Sequence, residues 1–140
     1  MNRTTVVKGG AEVDVCASPR PSGTELHVTA RPEGPGRGDA EAVLEALAGA
    51  IVERRGAPLQ EKLYGSLAAR GDVLRIRDAV YRRRGIDPEL PLTWIEGLPL
   101  AGEPLVGAQV WAVEPARQCI TFIRSLWSVR QSGGGTNNNV

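Results

Sequence analysis

An α+β fold, with one mixed sheet and two helices packed on a single face of it, is what this sequence predicts, and three observations carry the prediction. Apolar and polar residues alternate in "AEVDVCA" and "TELHVTA" near the start and in "LTWIE" and "GAQVWAV" near the end, the pattern of strands buried on one face. Between them, "DAEAVLEALAGAIVERRG" and "GDVLRIRDAVYRRRG" carry helical spacing and helix-end residues. The chain has 140 residues, 41% of them hydrophobic and 24% charged, which suits one hydrophobic core and is too short for two.

Taken in order, Val13, Val15 and Ala17 share one side of the first strand, with Glu12, Asp14 and Cys16 on the other. Leu26, Val28 and Ala30 repeat that pattern in the second strand. Ser18 to Gly23, "SPRPSG", is turn chemistry, so the two strands form a hairpin. "RPEGPGRG" then interrupts regular structure. In the first helix Asp39 is the expected N-cap, Glu41 lies in the first turn, and Val43, Leu44, Leu47, Ala48 and Ile51 form the apolar stripe. Arg54 and Arg55 suit the C-terminal end of the dipole, and Gly56 suits the C′ position.

"LQEKLYGSL" follows as a strand. In the second helix Asp72 is the expected cap, Val73, Ile76, Val80 and Tyr81 face inward, and Gly85 closes the element. The order is therefore β-β-α-β-α-β-β. A helix layer on one side leaves the other sheet face in need of a partner, and oligomerisation through that face is the usual solution.

Residues 1–116 make up the domain, residues 117–131 an extension and residues 132–140 a tail. "RQCITFIRSLWSVRQ" spaces Ile120, Ile123 and Trp127 as a helix does but also suits an extended segment, and it is the expected docking point for any protein partner. "SGGGTNNNV" cannot bury apolar surface and is expected to be disordered.

A formal charge of +1 and a pI near 7.8 give no general electrostatic reason to expect nucleic acid or an anionic membrane. The arginines of "RIRDAVYRRRG" read as a solvated face with local ion pairs rather than a nucleic-acid footprint, because acidic residues are spread among them. No apolar run reaches the length of a membrane span, and "MNRTTVVKGG" lacks a signal-peptide core, so the expected location is the cytoplasm. Cys16 and Cys119 read as isolated thiols. One histidine and two distant cysteines do not make a standard zinc site, so neither metal nor cofactor is expected.

From Glu25 to Glu114 the chain resembles the RidA (YjgF-like) reactive-intermediate deaminases, whose fold is shared with bacterial chorismate mutase. The residues that carry the likeness are "DAEAVLEALAGAIVERRGAPLQEKLYG", "DVLRIRDAVYRRRG" and the final strands "LTWIEGLPL" and "GAQVWAVE". The resemblance implies a homotrimer whose sheets form a central barrel, helices outside, with a small-molecule cleft at each subunit interface.

It also exposes two departures. The family's imine hydrolases place an arginine at the start of the penultimate strand to grip a substrate carboxylate in a bidentate pair. Leu92 stands there in this chain. Where they place a carboxylate on the last strand, this chain has Gln109 and Trp111, and an amide orients water without acting as a base near neutral pH.

Two readings follow. In the first, the protein binds a small aromatic or apolar metabolite without the usual deaminase chemistry. In the second, it is a hydrolase or lyase of altered chemistry, with Glu96 as acid or base and Gln109 orienting water or substrate.

Trp94 and Trp111 suit either a ligand platform or packing at a core or interface. Tyr64, which also suits packing with its hydroxyl at the water's edge, and Arg31 complete the expected ligand contacts. His27 reads as a surface or interface residue rather than a catalytic one.

Overall fold

The computed structural model describes residues 1–34, 39–97 and 105–116. Strand β1 (Asn2–Lys8) pairs antiparallel with β2 (Ala11–Arg20), from Asn2 opposite Ala17 to Lys8 opposite Ala11. Gly9 and Gly10 form the connection with φ of 63° and 86°, the left-handed pair that a tight hairpin turn of this hand requires. This strand is absent from the sequence expectation. Its signal is the β-branched run Thr4 to Val7 before a Gly-Gly turn.

Pro21 and Ser22 join β2 to β3 (Gly23–Pro32), so Ser18, Pro19 and Arg20 continue the strand instead of forming a longer turn. Helix α1 (Ala40–Glu53) begins as expected, with Asp39 Oδ1 accepting from Ala42 N at 2.8 Å, and its expected stripe is buried. Its end differs from expectation. Arg55 takes the left-handed C′ position at φ 55°, while Arg55 N donates to Val52 O and Gly56 N donates to Ile51 O at 2.9 Å. That is the Schellman arrangement, shifted one residue before the glycine.

Strand β4 (Ala57–Gly65) leads through a 3₁₀ turn at Leu67–Ala69 into α2 (Arg70–Arg84). The cap of this region is Ser66, whose Oγ accepts from Ala69 N at 3.3 Å, and not Asp72. Asp72 lies in the first turn of α2 and pairs with Arg75. Gly85 closes the helix in the left-handed region, as expected.

Strands β5 (Leu92–Glu96) and β6 (Leu105–Pro115) complete a six-stranded sheet of order β1-β2-β3-β6-β4-β5. Every neighbouring pair is antiparallel except β4 and β5, which are joined by α2 and run parallel. The class is α+β, a mixed sheet with two helices, as the sequence predicts.

Residue parity gives the sheet two different faces. Leu26, Val28 and Ala30 of β3, Leu63 of β4, and Ala108, Val110 and Ala112 of β6 are buried toward the helices. Each fully buried leucine or valine among them contributes about 1.5–3 kcal/mol relative to exposure. The residues between them point to the open face, away from the helices.

Candidate ligand-binding site

Strand register assembles a row of chemically useful side chains across the open face. Cys16 lies opposite His27, His27 opposite Trp111, and Trp111 opposite Gln60. In the next row Asp14, Thr29, Gln109 and Lys62 follow one another across β2, β3, β6 and β4. His27, Gln60, Lys62, Gln109 and Trp111 together line a hollow of about 200 Å³.

Trp111 forms one wall. Its indole is 40% exposed and lies nearly parallel to the His27 ring, 7° between planes and 6.2 Å between centroids. A large aromatic left this exposed is the kind of surface that stacks on a ligand or partner. His27 Nε2 lies 3.2 Å from Glu25 Oε1, which fixes one edge of the ring. Lys62 has no ion pair among the described residues, so its ammonium is available to an anion. Gln60 and Gln109 each offer both a donor and an acceptor.

The hollow can therefore hold a flat ring on the indole, place a carboxylate or phosphate on Lys62, and orient either with two amides. Its own residues include no carboxylate. Among the described residues no three His, Cys, Asp or Glu side chains gather closely enough to hold a metal ion. A larger groove lies elsewhere, between β1 and α1, and lacks this convergence of cation, imidazole and amides.

No protein-family model matches this chain, and no curated protein matches it. Among solved structures, a Salmonella typhimurium protein described as a candidate translation initiation inhibitor superposes with a TM-score of 0.46 at 12% identity, covering 79% of this chain and 96% of that one. At that level the likeness transfers neither activity nor site residues.

The structure separates the residues that the sequence grouped. Gln109 and Trp111 lie on the open face, as do Tyr64 and Arg31. Tyr64 is half-buried opposite Gly107, one row from the hollow. Arg31 sits beside Gly107 in that same row and donates to Glu12 Oε1 at 2.5 Å, so its charge is already engaged. Trp94 is on the other side of the sheet. It neighbours Leu63 in the parallel β4–β5 pair and packs against the hydrophobic core, so the two tryptophans are not walls of one pocket within the chain.

Glu96 shares the parity of Trp94 and is exposed at the end of β5. Within one chain it does not meet Gln109, so the expected acid/base and water-orienting pair is not assembled there. Leu92 also turns toward the core, and no guanidinium takes its place. Of the two cysteines, Cys16 is a half-buried free thiol, while Cys119 lies outside the described residues.

Sequence reasoning missed one buried cluster of polar and ionisable side chains altogether. Glu61, on β4 facing the helices, is fully buried; it accepts from Arg77 Nε at 2.7 Å and from the Tyr81 hydroxyl. Arg77 also donates from Nη1 to Asp78 and to Pro88 O, and its guanidinium lies 4.7 Å from the Tyr81 ring centroid. Burial pushes the Glu61 carboxyl above its ordinary value, while the Tyr81 hydroxyl and Arg77 pull it back. Burial also raises the Tyr81 phenol, and the adjoining Glu61 adds to that rise. The cluster pins α2 to the sheet. It corrects the expectation of a fully solvated arginine face, although Arg75, Arg83 and Arg84 do form surface ion pairs.

Proposed function

We propose that the open sheet face is a binding surface for a small, flat, anionic metabolite, held in the hollow between Trp111 and Lys62 and enclosed by further copies of the chain. The single observation that carries this reading is the exposed Trp111 indole beside an ammonium that has no ion pair among the described residues. A sheet face open to solvent on one side supports association through it, and the trimer that the RidA-like reading of the sequence implies would turn three shallow hollows into three enclosed clefts. The ligand class narrows from aromatic or apolar to aromatic with an acidic group, because four of the five lining residues are polar or charged.

Binding without deamination of the usual kind is favoured by the half-buried Leu92, which cannot grip a carboxylate. An amide at position 109 and a glutamate at position 96 directed to the opposite side leave no acid/base pair in the hollow. The protein reads as a sensor or an accessory binder.

Titrating the protein with aromatic carboxylates and their neutral amides, followed by tryptophan fluorescence, tests this. The carboxylates should bind more tightly than the amides. Trp111→Ala should weaken binding by about tenfold or more, since a base- or ring-stacking aromatic is worth roughly 1–3 kcal/mol. Lys62→Ala should remove the preference for the acid over the amide. Equal affinity of wild type and Trp111→Ala for every compound would refute the reading.

A further inference from the structure

Strand β1 is one edge of the sheet, and among the described residues, which exclude the extension 117–131, nothing pairs with its outer side. All of its residues are exposed, Val6 at 51% and Val7 at 53%. Sheet edges are commonly guarded against pairing by a proline, a bulge or a charge within the strand. Between Arg3 and Lys8 this edge has none of these. The run is Thr4, Thr5, Val6 and Val7, its register with β2 is unbroken, and the Arg3 charge is already held by Asp14 at 3.1 Å.

Register fixes which backbone groups the edge offers. Gly10 O accepts from Glu33 N at 2.8 Å, so the even-numbered residues of β2 bond to β3 and the odd-numbered ones bond to β1. The β1 partners of Ala11, Val13, Val15 and Ala17 are Lys8, Val6, Thr4 and Asn2. Arg3, Thr5 and Val7 are left with their N–H and C=O groups directed outward, evenly spaced about Thr5.

We propose that β1 pairs antiparallel with β1 of a second copy of this chain, on a two-fold axis at Thr5, so that the two sheets continue into one. Thr5 then faces the partner's Thr5, Arg3 faces the partner's Val7, and every outward N–H and C=O of the strand is bonded. An axis at Thr4 would set Val7 opposite Met1, and one at Val6 would set Arg3 opposite Gly9, both outside the strand. On the helix side Thr4 meets the partner's Val6 and Asn2 meets the partner's Lys8, so no like charges are opposed.

The groove of about 590 Å³ between β1 and α1 adds a charge match. Lys8, Glu45, Glu53, Arg54 and Arg84 are the charged residues of its lining. Glu45 pairs with Arg83 and Arg84, and Arg54 pairs with Glu114, whereas Lys8 and Glu53 have no ion pair among the described residues. These two lie at opposite ends. Gly56, just past α1, adjoins Leu26, and Leu26 continues across the sheet to Ala17 and Asn2, so Glu53 lies toward the Asn2 end while Lys8 adjoins the Gly9–Gly10 turn. The two-fold axis brings the partner's Lys8 opposite Asn2, at the Glu53 end of this groove, and by symmetry this chain's Lys8 reaches the partner's Glu53. Each copy thus adds a cation to the groove of the other, and a contact of this isologous kind closes at two copies.

One strand a side is a thin contact beside the roughly 20–30 residues a side of a standard interface, so pairing belongs to high protein concentration and adds to any assembly through the open face. Light scattering of the full chain from micromolar to millimolar concentration tests it. The mass should double relative to its micromolar value. Thr5→Pro removes an outward N–H without touching the β1–β2 ladder and should abolish the doubling. Thr5→Ala loses the hydroxyl bond to Asp14 but keeps that N–H, and should retain it. Lys8→Glu should weaken pairing roughly fivefold, and adding Glu53→Lys should restore it, which tests the register even if Thr5→Pro fails to fold. A mass constant up to millimolar concentration, a doubling indifferent to Thr5→Pro or lost equally in Thr5→Ala, or a double variant no better than Lys8→Glu would overturn the proposal. So would a rise to three copies with no doubling, since association would then run through the open face alone.

Discussion

Glu61 and Arg77 are the two charged residues buried among the described ones, and each depends on the other. Removing one member of a buried ion pair strands its partner, at a cost of about 3–5 kcal/mol, whereas replacing both by apolar groups of similar volume is often close to neutral. Glu61→Leu and Arg77→Met should therefore each lower the free energy of urea unfolding by about that amount. The double variant should recover most of the loss; a double variant as unstable as the sum of the singles would show that the pair does not act as a unit.

At the surface, the hydrogen bond from Thr5 and then the Arg3 guanidinium hold the Asp14 carboxyl below its ordinary value of 3.8. A depressed folded-state value means that the stabilisation is present above the ordinary value and is lost as pH falls through the folded one. Thermal unfolding measured below about pH 4 should thus show a shallower acid loss for Asp14→Asn than for the wild type. Neither feature was legible in the sequence. Glu61 falls in a strand of mixed polarity, Arg77 in a run of arginines, and Asp14 meets Arg3 only through a strand pairing that residue patterns do not print.

Among the elements, strands and helices with clean periodicity were legible and their ends were not. Helix α1 was found from its stripe and from Asp39, but its C-terminus was placed one residue late because Gly56 looks like the C′ residue. The chain instead puts Arg55 in the left-handed region, where a side chain costs about 1–2 kcal/mol. Arg55→Gly should accordingly raise stability by roughly 0.5–1 kcal/mol in urea unfolding.

Gly23 is the opposite case. At φ 155° its position suits glycine, and an added Cβ would sit 2.6 Å from Glu114 O. Gly23→Ala should cost about 1–3 kcal/mol by displacing β6 from β3, and a neutral result would mean that the hairpin end is slack. Strand β1 escaped notice because its residues are exposed throughout, so burial left no alternation to read.

For the whole molecule, the layer arrangement was legible in the sequence, whereas the six expected site residues divide between the two faces, with Arg31, Tyr64, Gln109 and Trp111 on the open one and Trp94 and Glu96 on the other. The sheet order was not legible there, and it decides which side chains line the hollow: β6 runs between β3 and β4, bringing Trp111 beside His27 and Gln60 while Trp94 stays on the other side. His27 and Lys62 join the hollow through cross-strand register alone. The polar character of the open face bears on assembly as well, since an interface there would be wet and charge-paired around an aromatic centre, with room for a bound small molecule.

Native mass spectrometry of the purified full chain, with light scattering for the mass in solution, tests the central claim most directly. A trimer carrying up to three identical small acids, lost together with Trp111→Ala or Lys62→Ala, is the expected result. A ligand-free monomer that remains a monomer at high concentration would contradict it and leave Trp111 as a surface residue without a role in binding.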